Sequence, residues 1–102
     1  MNTHGAVNVR QPHWDGVSRE LTFGDRLVKR FSRPAPSQER MLIEFEEAGW
    51  PSAIDDPLPL IAGVSPKRRL KTAIRHLNSC QASRTIVFHG NGNGCGIRWE
   101  LA

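Results

Sequence analysis

The chain has 102 residues, a formal net charge of +4 and two cysteines. This length suits a single domain that needs no disulfides, because about two thirds of the unfolded chain's surface can be buried at such a size. The first residues lack the apolar run of a secretion signal, and no run of about 18 apolar residues could span a membrane. We therefore expect a cytoplasmic protein without membrane contact, in which Cys80 and Cys95 remain thiols.

Charge is distributed unevenly along the chain. Residues 1–56 carry seven basic and nine acidic side chains, whereas residues 57–102 carry seven basic side chains and a single carboxylate, Glu100. The net charges of the two parts are therefore −2 and +6. Such one-sided charge is typical of nucleic-acid-binding proteins, although a solvated basic surface could also serve solubility.

The N-terminal third predicts an arm followed by a β-hairpin. Residues 1–18 contain few apolar side chains and predict a poorly ordered arm, which Trp14 could pin in a groove. The domain proper then covers residues 19–102. It begins with the short strands RELTF and RLVKRF, joined by a two-residue Gly-Asp connection. Alternation places three side chains on one face of the second strand: Leu27, Lys29 and Phe31.

The sequence PSQERMLIEFEEAGWP predicts the first helix. Pro36 suits its first turn, and Gly49 followed by Trp50 and Pro51 marks its end. Apolar side chains recur at spacings of three and four residues and should be buried: Met41, Leu42, Phe45 and Ala48. Three carboxylates near the helix end would face away from DNA and could contact a protein partner: Glu44, Glu46 and Glu47.

A second helix is predicted over residues 66–79, after a proline-rich stretch that allows one short turn at Asp56-Pro57. Ser65 and Pro66 form its start signal. One face of this helix is apolar: Leu70, Ala73, Ile74 and Leu77. The opposite face is basic and free of carboxylates, with Arg68, Lys71, Thr72, Arg75 and Ser79, while Arg69 and His76 lie along one flank. Side chains of these types bind phosphates and base edges in a DNA major groove.

The segment HGNGNGCG, residues 89–96, is termed here the glycine loop. Its glycine spacing does not match a phosphate-binding fingerprint, and a strand-like segment rather than a helix follows it. Alternating Gly and Asn suit the tip of a hairpin between predicted strands at residues 85–89 and 97–101. Arg84 and Arg98 flank this loop in the sequence.

Other chemistries receive weaker support. A zinc site of His76, Cys80, His89 and Cys95 is conceivable, but the paired-cysteine knuckle typical of such sites is absent. A disulfide between the two cysteines is a further open alternative. The basic half has no recognisable nucleophile with its base and no paired carboxylates, so we expect neither an enzyme nor a cofactor.

The order of a hairpin, a helix, a proline-rich connection, a basic helix and a terminal hairpin resembles a winged helix-turn-helix. RLKTAIRHLN followed by TIVFHGNGNGCGIRWEL is similar in pattern to the recognition helix and wing of OmpR-type response-regulator output domains. The similarity covers residues 19–102, with a single N-terminal hairpin and a proline-broken stretch in place of the family's second helix. Segments such as F-E-E-x-G-W-P and R-L-K-x-x-I-x-x-L-N also resemble those of short bacterial proteins.

The resemblance implies an α+β, winged-helix-like fold and a DNA-binding module of transcription regulation, with double-stranded DNA as partner. By position, the groove-facing residues would be Arg68, Lys71, Thr72, Arg75 and His76, and the wing contacts Asn91, Asn93 and Arg98. Lys67 and Arg84 complete the set of predicted DNA-binding residues. The alternative is a protein-interaction adaptor on the same scaffold that does not bind nucleic acid.

Overall fold

The computed structural model describes residues 11–102, so the first ten residues of the predicted arm lie outside the described range. Within that range, two helices and two three-stranded antiparallel sheets form an α+β fold, as the sequence predicted at that level. The elements in chain order are β1 (Pro12–Asp15), β2 (Glu20–Phe23), β3 (Arg26–Arg30), α1 (Pro36–Glu47), β4 (Ala53–Asp55), α2 (Pro66–Asn78), β5 (Ile86–Gly90) and β6 (Gly96–Leu101).

The N-terminal sheet has the strand order β1-β2-β3 and is larger than the predicted hairpin. Pro12–Asp15 pair with β2, so the expectation of poor order is wrong for these four residues. The physical reason is Trp14, which is buried and packs edge-on against Phe31 with ring centroids 5.3 Å apart. A register shift between β2 and β3 also buries Val28 completely, whereas Leu27 of the predicted apolar face is only half-buried.

Helix α1 follows the prediction closely. Its buried side chains are Met41, Leu42 and Phe45, whereas Ala48 is exposed at the helix end. Gly49 has φ +82° and leaves the helix in the left-handed conformation that glycine favours. Trp50 then folds back and stacks on Phe45 at a centroid distance of 4.9 Å.

The segment between the helices contains a strand in place of the predicted short turn. Ala53–Asp55 form β4 and pair with β6, which gives the C-terminal sheet its strand order β4-β6-β5. The backbone N–H of Asp56 donates to the Cys95 carbonyl at 2.8 Å, and the Asp56 carboxylate accepts from the Leu58 N–H at 2.9 Å. These bonds hold the start of the proline-rich segment against the C-terminal sheet.

Helix α2 begins where the sequence placed it. The Ser65 hydroxyl accepts from the Arg68 N–H at 3.3 Å, and the four predicted apolar side chains are buried: Leu70, Ala73, Ile74 and Leu77. Near its other end, the Asn78 amide donates to the Phe88 carbonyl at 2.9 Å and accepts from the Phe88 N–H at 2.8 Å. This pair of bonds fixes α2 beside β5, the edge strand of the predicted C-terminal hairpin.

A buried lysine connects the N-terminal sheet to α2. Lys29 Nζ donates to the carbonyls of His76 and Ser79 at 2.5 and 2.8 Å, at the end of the helix where carbonyls lack helical partners. Burial of its ammonium group lowers the pKa of Lys29. The next segment of chain pairs with β3 as well, since the Ala82 N–H donates to the Val28 carbonyl at 2.7 Å. The position of α2 relative to the N-terminal sheet is therefore fixed by hydrogen bonds as well as by packing.

Glu46 performs a similar role between β1 and α1. Its carboxylate accepts from the Trp14 N–H and the Trp50 indole N–H, both at 2.8 Å, and lies 3.2 Å from His13 Nδ1. Burial alone would raise the pKa of Glu46, but these hydrogen bonds outweigh it and the pKa falls below its usual value. The ionised carboxylate thus holds β1 against the helix.

We predict that Lys29→Met lowers the free energy of unfolding by about 1–3 kcal/mol, because the part-buried carbonyls of His76 and Ser79 each lose a hydrogen bond from a charged donor. Urea denaturation followed by circular dichroism measures the change. The matched control is Lys71→Met, which alters an exposed lysine and should shift stability by no more than about 0.5 kcal/mol. Equal effects of the two substitutions would contradict a structural role for Lys29.

We also predict that Glu46→Gln destabilises the protein at neutral pH by roughly 1 kcal/mol, a modest value because the side chain remains 34% exposed and partly screened by water. The pKa of Glu46 is lower in the folded state, so its contribution is present above the unfolded pKa, near 4.3, and is lost as pH falls through the folded value. Unfolding curves of both proteins from neutral to acidic pH should therefore converge. Glu47→Gln, at an exposed position, should leave the pH profile unchanged.

Candidate functional site

The outward face of α2 carries positive charge that the described chain does not neutralise. Six predicted site residues lie on this helix and are exposed or partly exposed: Lys67, Arg68, Lys71, Thr72, Arg75 and His76. The ion pairs found within residues 11–102 involve none of them. This face is therefore available to an anionic ligand.

The carboxylates of α1 bind elsewhere. Glu39 pairs with Arg19 at 2.8 Å, and this hydrogen-bonded contact lowers the pKa of Glu39. Glu44 lies 3.6 Å from Arg40 on its own helix, and Glu46 holds β1. Since these acids are directed toward other partners, α1 does not mask the charge of α2.

One side of α2 borders a groove shared with the glycine loop, here termed the loop-side groove. It has a volume of about 730 Å³, and its lining contains no carboxylate: Ser65, Lys67, Arg68, Leu70, Lys71, Ile74, Gly90, Gly92 and Gly94. The methylene chain of Lys67 crosses Gly94 so closely that a Cβ there would lie 2.7–2.9 Å from Lys67 carbons. Glycine at this position, with φ +75°, is what allows loop and helix to touch.

The other side of α2 borders a second groove, here termed the α1-side groove. Its volume is about 560 Å³, and it too is free of carboxylates: Pro34, Ala35, Pro36, Ser37, Gln38, Val64, Arg68, Arg69, Thr72, Ala73 and His76. The exposed side chains of α2 therefore form a basic ridge between two grooves. A groove at the start of α1 was not predicted from the sequence, because nothing local in PAPSQ indicates which face of α2 lies opposite.

The two asparagines of the glycine loop stabilise the loop itself. Asn91 Oδ1 accepts from the Asn93 N–H at 3.2 Å, and Asn93 Oδ1 accepts from the Cys95 N–H at 2.8 Å. The Asn91 side chain also lies against Gly96, where it leaves no room for a Cβ. The side-chain oxygens are therefore occupied within the loop, and the amide NH₂ groups are the donors that Asn91 and Asn93 could offer to a ligand.

The two predicted flanking arginines are placed differently from the rest of the site. Arg98 pairs with Glu100 at 3.0 Å, and Glu100 also lies 3.0 Å from His89; these hydrogen bonds, led by that of Arg98, lower the pKa of Glu100. Arg84 precedes β5, whereas the glycine loop follows it, so a strand of roughly 16 Å separates them. Arg84 and the tip of the glycine loop therefore lie at opposite ends of β5.

The alternative chemistries find no support in the described residues. Within residues 11–102, no three His, Cys, Asp or Glu side chains are close enough to share a metal ion, so His76, Cys80, His89 and Cys95 do not gather. Both cysteines are free and exposed rather than joined in a disulfide.

Comparisons with protein-family models, with curated proteins and with solved structures returned no match to this chain. The architecture therefore defines the class of protein. It is an α+β protein that exposes a basic helix between two grooves, and within residues 11–102 no Asp or Glu lines either of them. Across residues 11–102, neither helix is long and apolar enough to cross a membrane.

We predict that Gly94→Ala destabilises the protein by about 1–2 kcal/mol, because the residue must adopt a left-handed conformation. The Lys67 side chain should move away from the loop, which NMR chemical shifts of its methylene groups would report. Gly90→Ala is the matched control, since a Cβ there meets no atom within 4 Å. A stable Gly94→Ala variant with unchanged Lys67 signals would contradict this account of the contact.

Proposed function

We propose that the chain is a non-enzymatic module that binds double-stranded DNA through α2 and the glycine loop. The observation that carries the proposal is the unpaired basic ridge of α2, exposed between two grooves that no carboxylate lines. Cationic side chains on one helix face are the electrostatic feature that DNA-binding helices share.

The dimensions of the ridge support this choice of ligand. A helix of 13 residues is about 20 Å long and, with side chains, about 10–12 Å wide, close to the width of a B-DNA major groove. With α2 in that groove, the two phosphate backbones that border it would lie along the two protein grooves. Lys67 and Lys71 would then contact one backbone and Thr72 and His76 the other, leaving Arg68 and Arg75 nearest the bases.

The scaffold supports a winged-helix-like arrangement. The terminal hairpin of β5 and β6 lies beside α2 with the glycine loop at its tip, which is the relation of a wing to a recognition helix. The segment before Ser65 is not helical, but Ser65, Asn78 and Lys29 position α2 by hydrogen bonds. A second helix is therefore not needed to hold the proposed recognition helix in place. The winged-helix resemblance is what associates this module with regulation of transcription.

Contributions within the predicted site should be unequal. The charge of Arg98 is shared with Glu100, and Arg84 lies beyond the far end of β5. We therefore assign the main phosphate contacts to α2, and assign to the loop the amide donors of Asn91 and Asn93, because the backbone N–H groups of Asn91, Asn93 and Cys95 are bonded within the loop.

The proposal is tested by fluorescence anisotropy of a labelled duplex at several salt concentrations. Four to six phosphate contacts should give a slope of log affinity against log salt of about −4 to −5, since each contact releases about 0.9 counterions. Lys71→Ala combined with Arg75→Ala should weaken binding and make the slope less negative by about 1, because of the two only Lys71 is assigned to a phosphate.

Arg26→Ala combined with Arg30→Ala is the matched control, because it removes the same charge from exposed positions of β3 that line neither groove. A slope near zero, or an equal loss in the control, would contradict the proposal. NMR amide shifts on adding DNA should concentrate in residues 66–79 and 90–95. An unchanged spectrum would favour the protein-interaction adaptor.

A further inference from the structure

A continuous trough runs along the start of α1, away from the glycine loop. It combines the α1-side groove with a neighbouring groove of about 310 Å³, and the two share Pro36, Ser37 and Arg69. We term this combined surface the α1 trough. Side chains of the basic ridge form only part of the lining of this trough.

The apolar part of the α1 trough is rigid and exposed. Four prolines line it: Pro34, Pro36, Pro57 and Pro59. Proline fixes its own backbone angle, and an Arg69 hydrogen bond to the Pro59 carbonyl holds the far wall against α2. Val64 lines the trough and is 43% exposed. Leu60 and Ile61, 83% and 48% exposed, line an adjoining pocket together with Asp56. These side chains form an apolar surface that nothing in residues 11–102 covers.

The charged side chains of the α1 trough are three arginines, Arg40, Arg68 and Arg69, and His76 lies beside them. Within residues 11–102, no carboxylate lines either groove. Glu44 is near Arg40, but at 3.6 Å on an exposed helix face this pair contributes little. The trough therefore has apolar walls with positive groups along them.

We propose that the α1 trough binds an acidic peptide segment of a partner protein, one that carries apolar side chains between its carboxylates. Its carboxylates would pair with the arginines and its apolar side chains would cover Val64 and the prolines. DNA fits the trough as a whole less well, because a phosphate backbone along Arg68 and His76 would leave Val64 and the prolines uncovered. A second copy of this chain also fits less well, because the apolar neighbours of its α1 glutamates are buried in its own core.

The inference does not require DNA binding, but the two ligands would share Arg68 and His76. Where both bind, the acidic peptide should compete with DNA for the shared part of α2. Occupation of the α1 trough would then regulate the proposed DNA-binding site.

The test uses a short fluorescent peptide of alternating Glu and Leu, with a Glu and Ser peptide of equal charge as control. Val64→Asp combined with Arg40→Glu should weaken Glu-Leu binding by about tenfold or more. Lys71→Ala combined with Arg75→Ala should retain peptide binding. The Glu-Ser peptide should bind at least about tenfold more weakly than the Glu-Leu peptide.

Three outcomes would overturn the inference. Equal binding of both peptides, or loss of peptide binding in the Lys71 and Arg75 variant, would show general charge attraction to the basic ridge. Self-association by light scattering that Val64→Asp abolishes would identify a second copy as the occupant.

If the double variant does not fold, NMR chemical shifts of the unaltered protein test the peptide-binding inference instead. Shifts at Ala35, Ser37 and Val64 on adding the Glu-Leu peptide support the trough, and shifts confined to the loop-side groove contradict it. Peptide binding without DNA binding would contradict the proposed DNA-binding function and leave the peptide-binding inference intact.

Discussion

Burial of one stripe of α2 determines where the charge of this protein lies. Leu70, Ala73, Ile74 and Leu77 are buried, and full burial of a large aliphatic side chain contributes about 1.5–3 kcal/mol. Repulsion between like charges one turn apart on an exposed helix costs only a few tenths of a kcal/mol per pair. Burial of the apolar side chains therefore contributes more free energy than repulsion between the charges costs. As a result, Arg68, Lys71 and Arg75 lie at the surface despite their mutual repulsion.

Three hydrogen-bonded contacts keep this helix in place without a preceding helix. Ser65 satisfies an amide at its start, Asn78 binds both polar groups of Phe88, and Lys29 satisfies carbonyls at its end. Desolvation of a buried ammonium is costly, and the partial negative charge at a helix C-terminus offsets it. Lys29 thus attaches the N-terminal sheet to α2, and Asn78 attaches the C-terminal sheet to the same helix.

The parts of this fold that depend on local pattern could be predicted from the sequence, whereas the parts that depend on distant partners could not. The bounds of both helices and of the terminal hairpin follow from apolar periodicity and from Ser, Gly and Pro at their ends. Strands β1 and β4 have four and three residues, which are too few to show the alternating pattern of a strand. They form because they pair with β2 and β6, which lie far from them in the sequence or carry no signal of this pairing. The same limit applies to the site: the basic face of α2 could be predicted, but not the contact of Lys67 with Gly94 or the groove at the start of α1.

The distribution of carboxylates explains why the basic ridge stays unneutralised. No Asp or Glu occurs between Asp56 and Glu100, so cations on α2 could pair only with acids from the N-terminal half or from the strand end. Glu39 and Glu46 are occupied in attaching the N-terminal sheet to α1, and Glu100 is occupied by Arg98 and His89. Moving any of these acids to α2 would break a hydrogen bond that maintains the fold. In the proposed complex with DNA, phosphates would neutralise the remaining charge on α2, and the release of small counterions from the DNA would add to the free energy of binding.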